Sequence, residues 1–320
     1  NAQGRTFDAK PHALIIRQNN WRNIEATATL AKIALLDKEG VTLASKSVAT
    51  PAIFSKISEN STPQNTMPSD RKVVMVTSSL GSGGAERQVA YTAKSCTTGN
   101  GIKSLTVLAE NLDPTFQRDF FKSEIERTDH AIVDIAETGR DILIRQLASE
   151  CPQYRDDLAL LQSLEPEVSR FAAPFYAWLR LNPTDVVHLW QDSICVAGGM
   201  AAVLAGVPKI IIATRSTRPD SRRRLRPYLK PGYLTLMDRP EVTMINNSDS
   251  GARDYEDWLG LEKGSVATLH NGMDISTMKR RGSPKAVSAI REDLDLTDEN
   301  LVLGGVMRFT EEKRPDLFIE

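Results

Sequence analysis

Cysteine is scarce in this sequence. The 320 residues include three cysteines, Cys96, Cys151 and Cys195, whose spacing is not that of a metal site. An odd number of cysteines cannot form a complete set of disulfides within one chain. Together these features favour a cytoplasmic protein that is kept in a reducing compartment and holds no metal ion.

The sequence also lacks an excess of charge of one sign. Its 40 basic and 41 acidic side chains give a formal net charge of −1. Proteins that coat nucleic acid are usually strongly basic, so we expect no nucleic-acid partner. Long apolar runs are missing too, because no run approaches the ~20 residues needed to cross a bilayer. The length is sufficient for about two globular domains.

A short apolar run followed by glycines stands near the start of the patterned part of the chain. Residues 73–76 have the length and β-branching of a buried parallel strand, and Gly81, Gly83 and Gly84 follow before a predicted helix. Glycines permit a sharp turn, and the amides at a helix N-terminus favour an anion. Similar turns also occur without any ligand. The pattern therefore predicts the first strand–turn–helix unit of an α/β domain, with or without a phosphate-binding role.

Two nucleotide-binding motifs can be compared with this turn. A Walker loop requires a lysine at its end, and none is present. A dinucleotide fingerprint requires glycine at three positions, of which Gly81 and Gly83 match while Glu86 replaces the third. Glu110 lies near the position of the acid that would bind the ribose. A phosphate-binding P-loop is therefore excluded, and an NAD-dependent oxidoreductase remains an alternative.

Predicted strands and helices alternate from residue 72 onward. The predicted strands are 73–77, 104–108, 131–135, 186–189, 210–213 and 242–245, and the predicted helices are 85–95, 114–126, 140–149, 155–163, 167–181, 193–205 and 249–259. Such alternation predicts an α/β, Rossmann-like domain with a parallel sheet covered by helices on both faces. Ligands of such sheets bind beyond the carboxyl ends of the strands.

The first 70 residues have a different pattern. Apolar residues at helical spacing predict one helix over residues 21–36, and the polar segment 58–70 with its two prolines predicts a linker. We therefore expect an N-terminal helical extension and linker over residues 1–70.

Five segments, in order along the chain, resemble family 4 glycosyltransferases with the GT-B fold. They are GGAERQ at 83–88, DVVHLWQD with the following AAVLAGVPKIII at 185–192 and 201–212, INNS at 245–248, LHNGMD at 269–274 and VMRFTEEKRPD at 306–316. The resemblance implies an acceptor domain over 71–273 and the start of a donor domain over 274–320. It also implies a bacterial, cytoplasmic enzyme of polysaccharide biosynthesis.

The activity implied by this resemblance is retaining transfer of a sugar from a nucleotide-sugar donor to a carbohydrate or lipid-linked acceptor. The nucleotide-sugar is a substrate, so no cofactor is expected. Because the chain begins at Asn1 and the family's paired donor-domain glutamates would follow Glu320, we expect a fragment that is inactive alone. A non-catalytic module that binds a sugar nucleotide is a further alternative, and finding the downstream glutamates would argue against it.

The resemblance also assigns donor-binding residues. Arg308 and Lys313, with Gly83 and Gly84, match the positions that bind the donor diphosphate, where fixed cations stabilise a departing phosphate. The apolar segment 301–306 predicts a strand ahead of Arg308. A solvated pair beside the neighbouring glutamates is the structural alternative for Arg308 and Lys313.

The remaining assigned residues belong to the pocket for the acceptor and the transferred sugar. The family often has a histidine at the position of Trp190, so no catalytic residue can be assigned, and we expect His188 to be buried and hydrogen-bonded. Trp190 is either a core residue or a platform for a sugar ring. The predicted pocket residues are Glu86, Trp190, Gln191, Asp192, Arg215 and Arg218.

Basic residues are concentrated over 215–230, directly after a predicted strand. Arg215 and Arg218 lie closest to the strand end and could hold an anionic acceptor in one crevice with Gly81–Gly84. The segment 222–230 could steer that acceptor or make peripheral contact with anionic headgroups at the inner membrane face. A solvated helix face is the simpler interpretation of the same charges.

Overall fold

The structure is a computed structural model that describes residues 70–96, 101–221, 226–273, 283–297, 299–302, 304–307, 309 and 313–319. The predicted helix 21–36, nearly all of the predicted linker, Arg308 and the arginines at 222–224 lie outside the described residues. The described residues up to Met273 belong to one compact unit, and those from Ser283 onward belong to a second.

Seven parallel strands form the sheet of the first unit, in the order β3-β2-β1-β4-β5-β6-β7. The strands are β1 (Arg71–Thr77), β2 (Ile102–Ala109), β3 (Ala131–Asp134), β4 (Val186–Trp190), β5 (Lys209–Thr214), β6 (Val242–Asn246) and β7 (Val266–Thr268). This sheet and its helices confirm the predicted Rossmann-like α/β fold and the six strands predicted between residues 73 and 245. The three-residue strand β7 was not predicted from the sequence.

The helices follow the strands in turn. They are α1 (Gly84–Ser95), α2 (Lys122–Glu126), α3 (Ile135–Thr138), α4 (Arg140–Glu150), α5 (Arg155–Gln162), α6 (Pro166–Leu181), α7 (Asp192–Leu204), α8 (Leu229–Met237) and α9 (Asp249–Leu259), and the second unit contains α10 (Pro284–Asp293) and α11 (Pro315–Ile319). In the described part of the chain no helix is both long and apolar enough to cross a membrane.

The two faces of the sheet bury separate cores because successive strand residues point to opposite faces. On one face Val74, Val76, Val187 and Leu189 pack with residues of α4 to α9. On the other face Val73, Met75, Val186 and Trp190 pack mainly with residues of α1 and α2. Helices therefore cover both faces, as the sequence predicts.

The order of the strands reverses direction between β1 and β4. Strands β2 and β3 extend the sheet on one side of β1, and β4 to β7 extend it on the other. Since all strands are parallel, the loops after β1 and β4 leave the same carboxyl edge. Such a switch point is where ligands bind in open α/β sheets.

The single helix predicted over 114–126 is wrong. A 3-10 turn at Pro114–Phe116 is followed by Gln117 in the left-handed region, and a helix resumes only at α2. The backbone of Leu80 accepts from Phe121 and donates to Arg118, each at 2.8 Å. These tertiary hydrogen bonds replace helical ones and hold the segment against the loop after β1.

The strand predicted over 301–306 is also wrong. Its described residues have no strand conformation, and Leu301 and Val306 are 78% and 107% exposed. A strand needs a neighbour for its backbone hydrogen bonds, and no described residue pairs with this segment. Helix α8 was not predicted from the sequence. Pro231 lies in the first turn, where a missing N–H is tolerated.

Helix α9 has a side-chain cap that yields a stability prediction. The Ser248 hydroxyl accepts a hydrogen bond from the Gly251 amide at 3.0 Å. Ser248→Ala is expected to lower the free energy of unfolding by about 1 kcal/mol, because it leaves a helix N-terminal amide without its acceptor. Urea denaturation measures this loss. Ser248→Asp retains a capping oxygen and is expected to unfold like the parent; an equal loss in both variants would contradict the assignment.

Candidate binding site at the carboxyl edge of the sheet

Gln191 has the most unusual backbone at the switch point. It follows β4 with φ 74° and ψ 146°, in a region that residues with a side chain rarely adopt. Its amide is held on both sides: Ser78 donates to Oε1, and Nε2 donates to Glu86 Oε1 at 2.7 Å. The loop after β1, the first turn of α1 and the end of β4 are therefore joined through one strained residue.

Helix α1 begins beside this junction. Gly83 is its N-cap residue and makes no side-chain cap hydrogen bond, and Glu86 supplies the acidic group of the first turn. A Cβ on Gly84 would meet no other atom within 4 Å, so its backbone faces open space. The predicted Gly83, Gly84 and Glu86 thus lie together, at the switch point.

Gln88 connects the same helix to the segment that follows β7. Its amide makes two hydrogen bonds to the backbone of Gly272, one with the carbonyl and one with the amide, both at 2.9 Å. The neighbouring Asn271 accepts from Arg215 Nη1 at 2.8 Å through its Oδ1. The glycine turn and Arg215 are therefore placed at one edge of the sheet and linked through the 271–272 segment.

Arg215 follows β5 and lies over Trp190. Its guanidinium carbon is 3.7 Å from the centroid of the indole ring. Arg215 is half-buried, and this desolvation lowers its pKa from 12.5 to about 10. Within the described ranges no carboxylate forms an ion pair with it.

Trp190 and His188 form the layer below Arg215. The two rings are 4.7 Å apart, and the side chains are 2% and 1% exposed. His188 is buried as predicted, but the expected hydrogen bond is wrong: neither ring nitrogen has a partner among the described residues. On the two adjacent strands its register partners are Met75 and Ile211, whose side chains contain no nitrogen or oxygen. Burial, assisted by the Arg215 charge, lowers its pKa from 6.5 to about 3.

Asp192 and Arg218 are directed elsewhere. The Asp192 carboxylate accepts from Tyr233 at 2.8 Å and from Tyr255, both fully buried in the core that α7 helps to form. Arg218 pairs with Asp220 at 3.0 Å, and its backbone amide donates to Asp254. The structure therefore gives both residues structural partners and leaves Arg215 as the basic group against Trp190.

Sequence reasoning missed Ser78, Gln88 and Asn271. Gln88 and Asn271 stand inside the segments that carry the resemblance, so their place in those motifs was the available signal. Ser78 follows β1 directly, which alone does not separate it from any other turn residue. Their roles depend on contacts between distant positions, which are 113 residues apart for Ser78 and Gln191, 184 for Gln88 and Gly272, and 56 for Asn271 and Arg215.

The acid that would bind ribose in a dinucleotide fingerprint is engaged. Glu110 is 13% exposed in its side chain, and its Oε1 is 3.5 Å from Arg140 Nη2 and 3.1 Å from Arg170 Nη2. A carboxylate held by two guanidinium groups is a poor acceptor for a ribose hydroxyl. Across the ranges that the structure describes, no group of three or more His, Cys, Asp or Glu side chains could hold a metal ion.

Comparison with known proteins gives one relative of informative similarity. No protein-family model matches the chain. The chain is 30% identical over 266 residues to the Vi polysaccharide biosynthesis protein VipC/TviE of Salmonella typhi. The match covers 78% of this chain and 44% of the relative, so the chain spans less than half the length of that curated protein.

Proposed function

We propose that the protein is a glycosyltransferase of bacterial polysaccharide biosynthesis. It moves a sugar from a nucleotide-sugar to a carbohydrate or lipid-linked acceptor with retention of configuration. The name of the relative supports polysaccharide biosynthesis, and the five motif segments support sugar transfer. The observation that carries the proposal is the strained Gln191, clasped by Glu86 and Ser78 at the switch point of the sheet.

The chemistry of this site suits a polyhydroxylated substrate. A carboxylate and an amide that already bind each other present fixed acceptors and donors of the kind that sugar hydroxyls require. Backbone strain of about 1–3 kcal/mol is kept only where the surroundings enforce it, and it commonly marks a functional site. We assign Glu86 and Gln191 to positioning the transferred sugar or the accepting hydroxyl.

The donor diphosphate would lie at the N-terminus of α1. Gly83 and Gly84 bring exposed backbone to that position, where the helix dipole favours negative charge. The family resemblance separately assigns Arg308 and Lys313, of which Lys313 is exposed, to neutralising the leaving diphosphate. The nucleotide-sugar is consumed as a substrate, and the reaction so described needs no cofactor.

The protein would work in the cytoplasm, and its basic segment 215–230 would also make peripheral contact with the inner face of the membrane. Arg226 pairs with Glu167, and Lys230 lies 6.0 Å from the Trp258 ring centre. Arg226 and Lys230 are thus already engaged within the protein. Attraction of the basic segment 215–230 to a membrane would therefore depend mainly on the arginines at 222–224.

Two other functions make different predictions. An NAD-dependent oxidoreductase would need an acid free to bind ribose, whereas Glu110 is held by Arg140 and Arg170. A non-catalytic module would bind a sugar nucleotide without turnover. Incubation of the full-length protein with labelled nucleotide-sugars and saccharide acceptors separates the three functions. We expect labelled product. Binding of the nucleotide-sugar with no product formed would contradict the proposal, and so would the formation of NADH in an assay with NAD.

Gln191→Gly provides the sharper test of the site. Loss of the amide is expected to reduce sugar transfer about tenfold, equivalent to about 1.4 kcal/mol of transition-state stabilisation. The free energy of unfolding should stay within about 1 kcal/mol of the parent, because relief of about 1–3 kcal/mol of strain offsets the lost hydrogen bonds. Product formation and urea denaturation are measured on the same preparation.

The matched control is Asp295→Gly, which changes another residue of positive φ, at 51°, in the second unit. It relieves the same kind of backbone strain within the other unit and should leave transfer unchanged. If Gln191→Gly transfers sugar at the parent rate, the hydrogen bonds of Gln191 with Glu86 and Ser78 have no part in the reaction, and the proposal loses its main support.

A further inference from the structure

We propose that Arg215 binds a negatively charged group on the acceptor, a carboxylate or a phosphate, so that the substrate class of this site is an anionic saccharide. The inference rests on the proposed function and adds the charge of the acceptor to it. The evidence is the partial burial of Arg215, the neutrality of its described contacts and its place at the end of β5.

Among the described residues, the contacts of Arg215 are with uncharged groups. Nη1 donates to the amide oxygen of Asn271, and one face of the guanidinium covers the Trp190 ring. Nε is buried and has no partner among the described residues. Burying a cation is costly unless an opposite charge accompanies it. A site that keeps such a cation without a carboxylate attracts an anion.

Six other arginines of this unit differ in this respect. Each of the six pairs with a carboxylate, which compensates its charge within the protein. The pairs are Arg140 and Arg170 with Glu110, Arg180 with Asp157, Arg218 with Asp220, Arg226 with Glu167 and Arg239 with Glu241. Arg145 lies outside these pairs as well, but it is exposed to water, whereas Arg215 is half-buried and its Nε is buried without a partner among the described residues.

The orientation of the guanidinium suits binding of a planar or tetrahedral anion. Stacking on Trp190 fixes the plane of the Arg215 guanidinium, and the hydrogen bond to Asn271 fixes its rotation within that plane. An arginine held in this way loses little entropy when its N–H groups bind a carboxylate or phosphate bidentately. The position follows β5, adjacent to β4, so the anion would lie on the same edge as Gln191.

Binding of small probes to the 320-residue chain tests the proposal without requiring turnover. Glucuronate carries the carboxylate, glucose is its neutral counterpart, and inorganic phosphate tests the other source of negative charge. We expect glucuronate or phosphate to bind at least tenfold more tightly than glucose in calorimetric titrations. Equal affinity for glucose and both anions would overturn the proposal.

Substitutions locate the anion. Arg215→Gln is expected to abolish the preference for the charged probe, and Arg215→Lys to retain part of it, because lysine keeps the charge but loses the fork. Arg145→Gln removes an exposed arginine of α4 and should leave the preference intact. If Arg215→Gln still binds glucuronate or phosphate more tightly than glucose, the anion binds elsewhere and the inference is wrong.

The unaltered chain offers a second measurement in case Arg215→Gln does not fold. An anion bound at Arg215 should change the fluorescence of the Trp190 ring beneath it. The change should follow the same titration as the calorimetric signal and disappear in Trp190→Phe. An anion that binds without altering this emission would contradict the assigned site.

The two proposals fail in different ways. If the chain binds glucuronate through Arg215 while the full-length protein transfers no sugar, the proposed function is wrong and the anion site stands. If sugar is transferred equally well to neutral and charged acceptors, in the parent and in Arg215→Gln, the proposed function stands and the anionic acceptor is wrong.

Discussion

Asp192→Ala is expected to lower the free energy of unfolding by about 3–5 kcal/mol. The carboxylate accepts hydrogen bonds from the hydroxyls of Tyr233 and Tyr255, and both tyrosines are fully buried. Alanine leaves two buried donors without this acceptor, and each such group costs about 1–3 kcal/mol. Urea denaturation followed by circular dichroism measures the loss directly.

A control background separates this effect from a general disturbance of α7. In a chain that already carries Tyr233→Phe and Tyr255→Phe, no hydroxyl needs the acceptor, so Asp192→Ala should cost much less than in the parent. Asp192→Asn keeps an acceptor oxygen and should lie between parent and alanine. A loss of the same size in the parent and in the double-phenylalanine background would show that these hydrogen bonds do not account for it.

Acid is expected to destabilise the protein through His188. Its pKa is 6.5 in an ordinary environment and about 3 in the folded chain. Between these values the unfolded chain binds a proton that the folded chain does not, so stability falls as pH falls. The loss through this one residue should reach about 2 kcal/mol by pH 5, with on the order of 5 kcal/mol lost across the whole window.

Denaturation at pH 7, 6 and 5 tests the role of this histidine. His188→Leu removes the titrating group. Between pH 7 and pH 5 this variant should therefore lose about 2 kcal/mol less of its free energy of unfolding than the parent loses. His270→Gln removes an exposed histidine and should leave the slope of the parent unchanged. If His188→Leu and the parent lose stability in parallel, the buried imidazole is not the source of the acid sensitivity.

The strands could be predicted because buried parallel strands have short, continuous apolar sequences. Each run that is rich in Val and Ile became a strand, from β1 to β6. The segment 114–126 failed because its backbone hydrogen bonds go to Leu80, a partner that local propensity cannot reveal. The segment 301–306 has the composition of a strand but no described neighbour to pair with.

The candidate site was predictable only as a place on the sheet. Alternation of strands and helices puts the ends of β1, β4 and β5 at one edge, so Glu86, Gln191 and Arg215 could be grouped in advance. The sequence did not reveal that Gln191 is strained or that Trp190 lies beneath Arg215. Nor did it show that Asp192 turns into the core, because side-chain direction depends on the packing of α7 against α8 and α9.

The pairing of β1 with β4 at the centre of the sheet has a consequence for biosynthesis. The Lys72 amide donates to Asp185, and these residues are separated by 113 positions. A ribosome therefore releases β1, β2 and β3 long before β4 exists, and during that interval β1 presents an unpaired edge and one bare side of the future sheet. Contacts so distant in sequence form slowly and leave apolar strands exposed. We therefore expect the nascent chain to be most prone to pairing with other chains in the interval before β4 emerges.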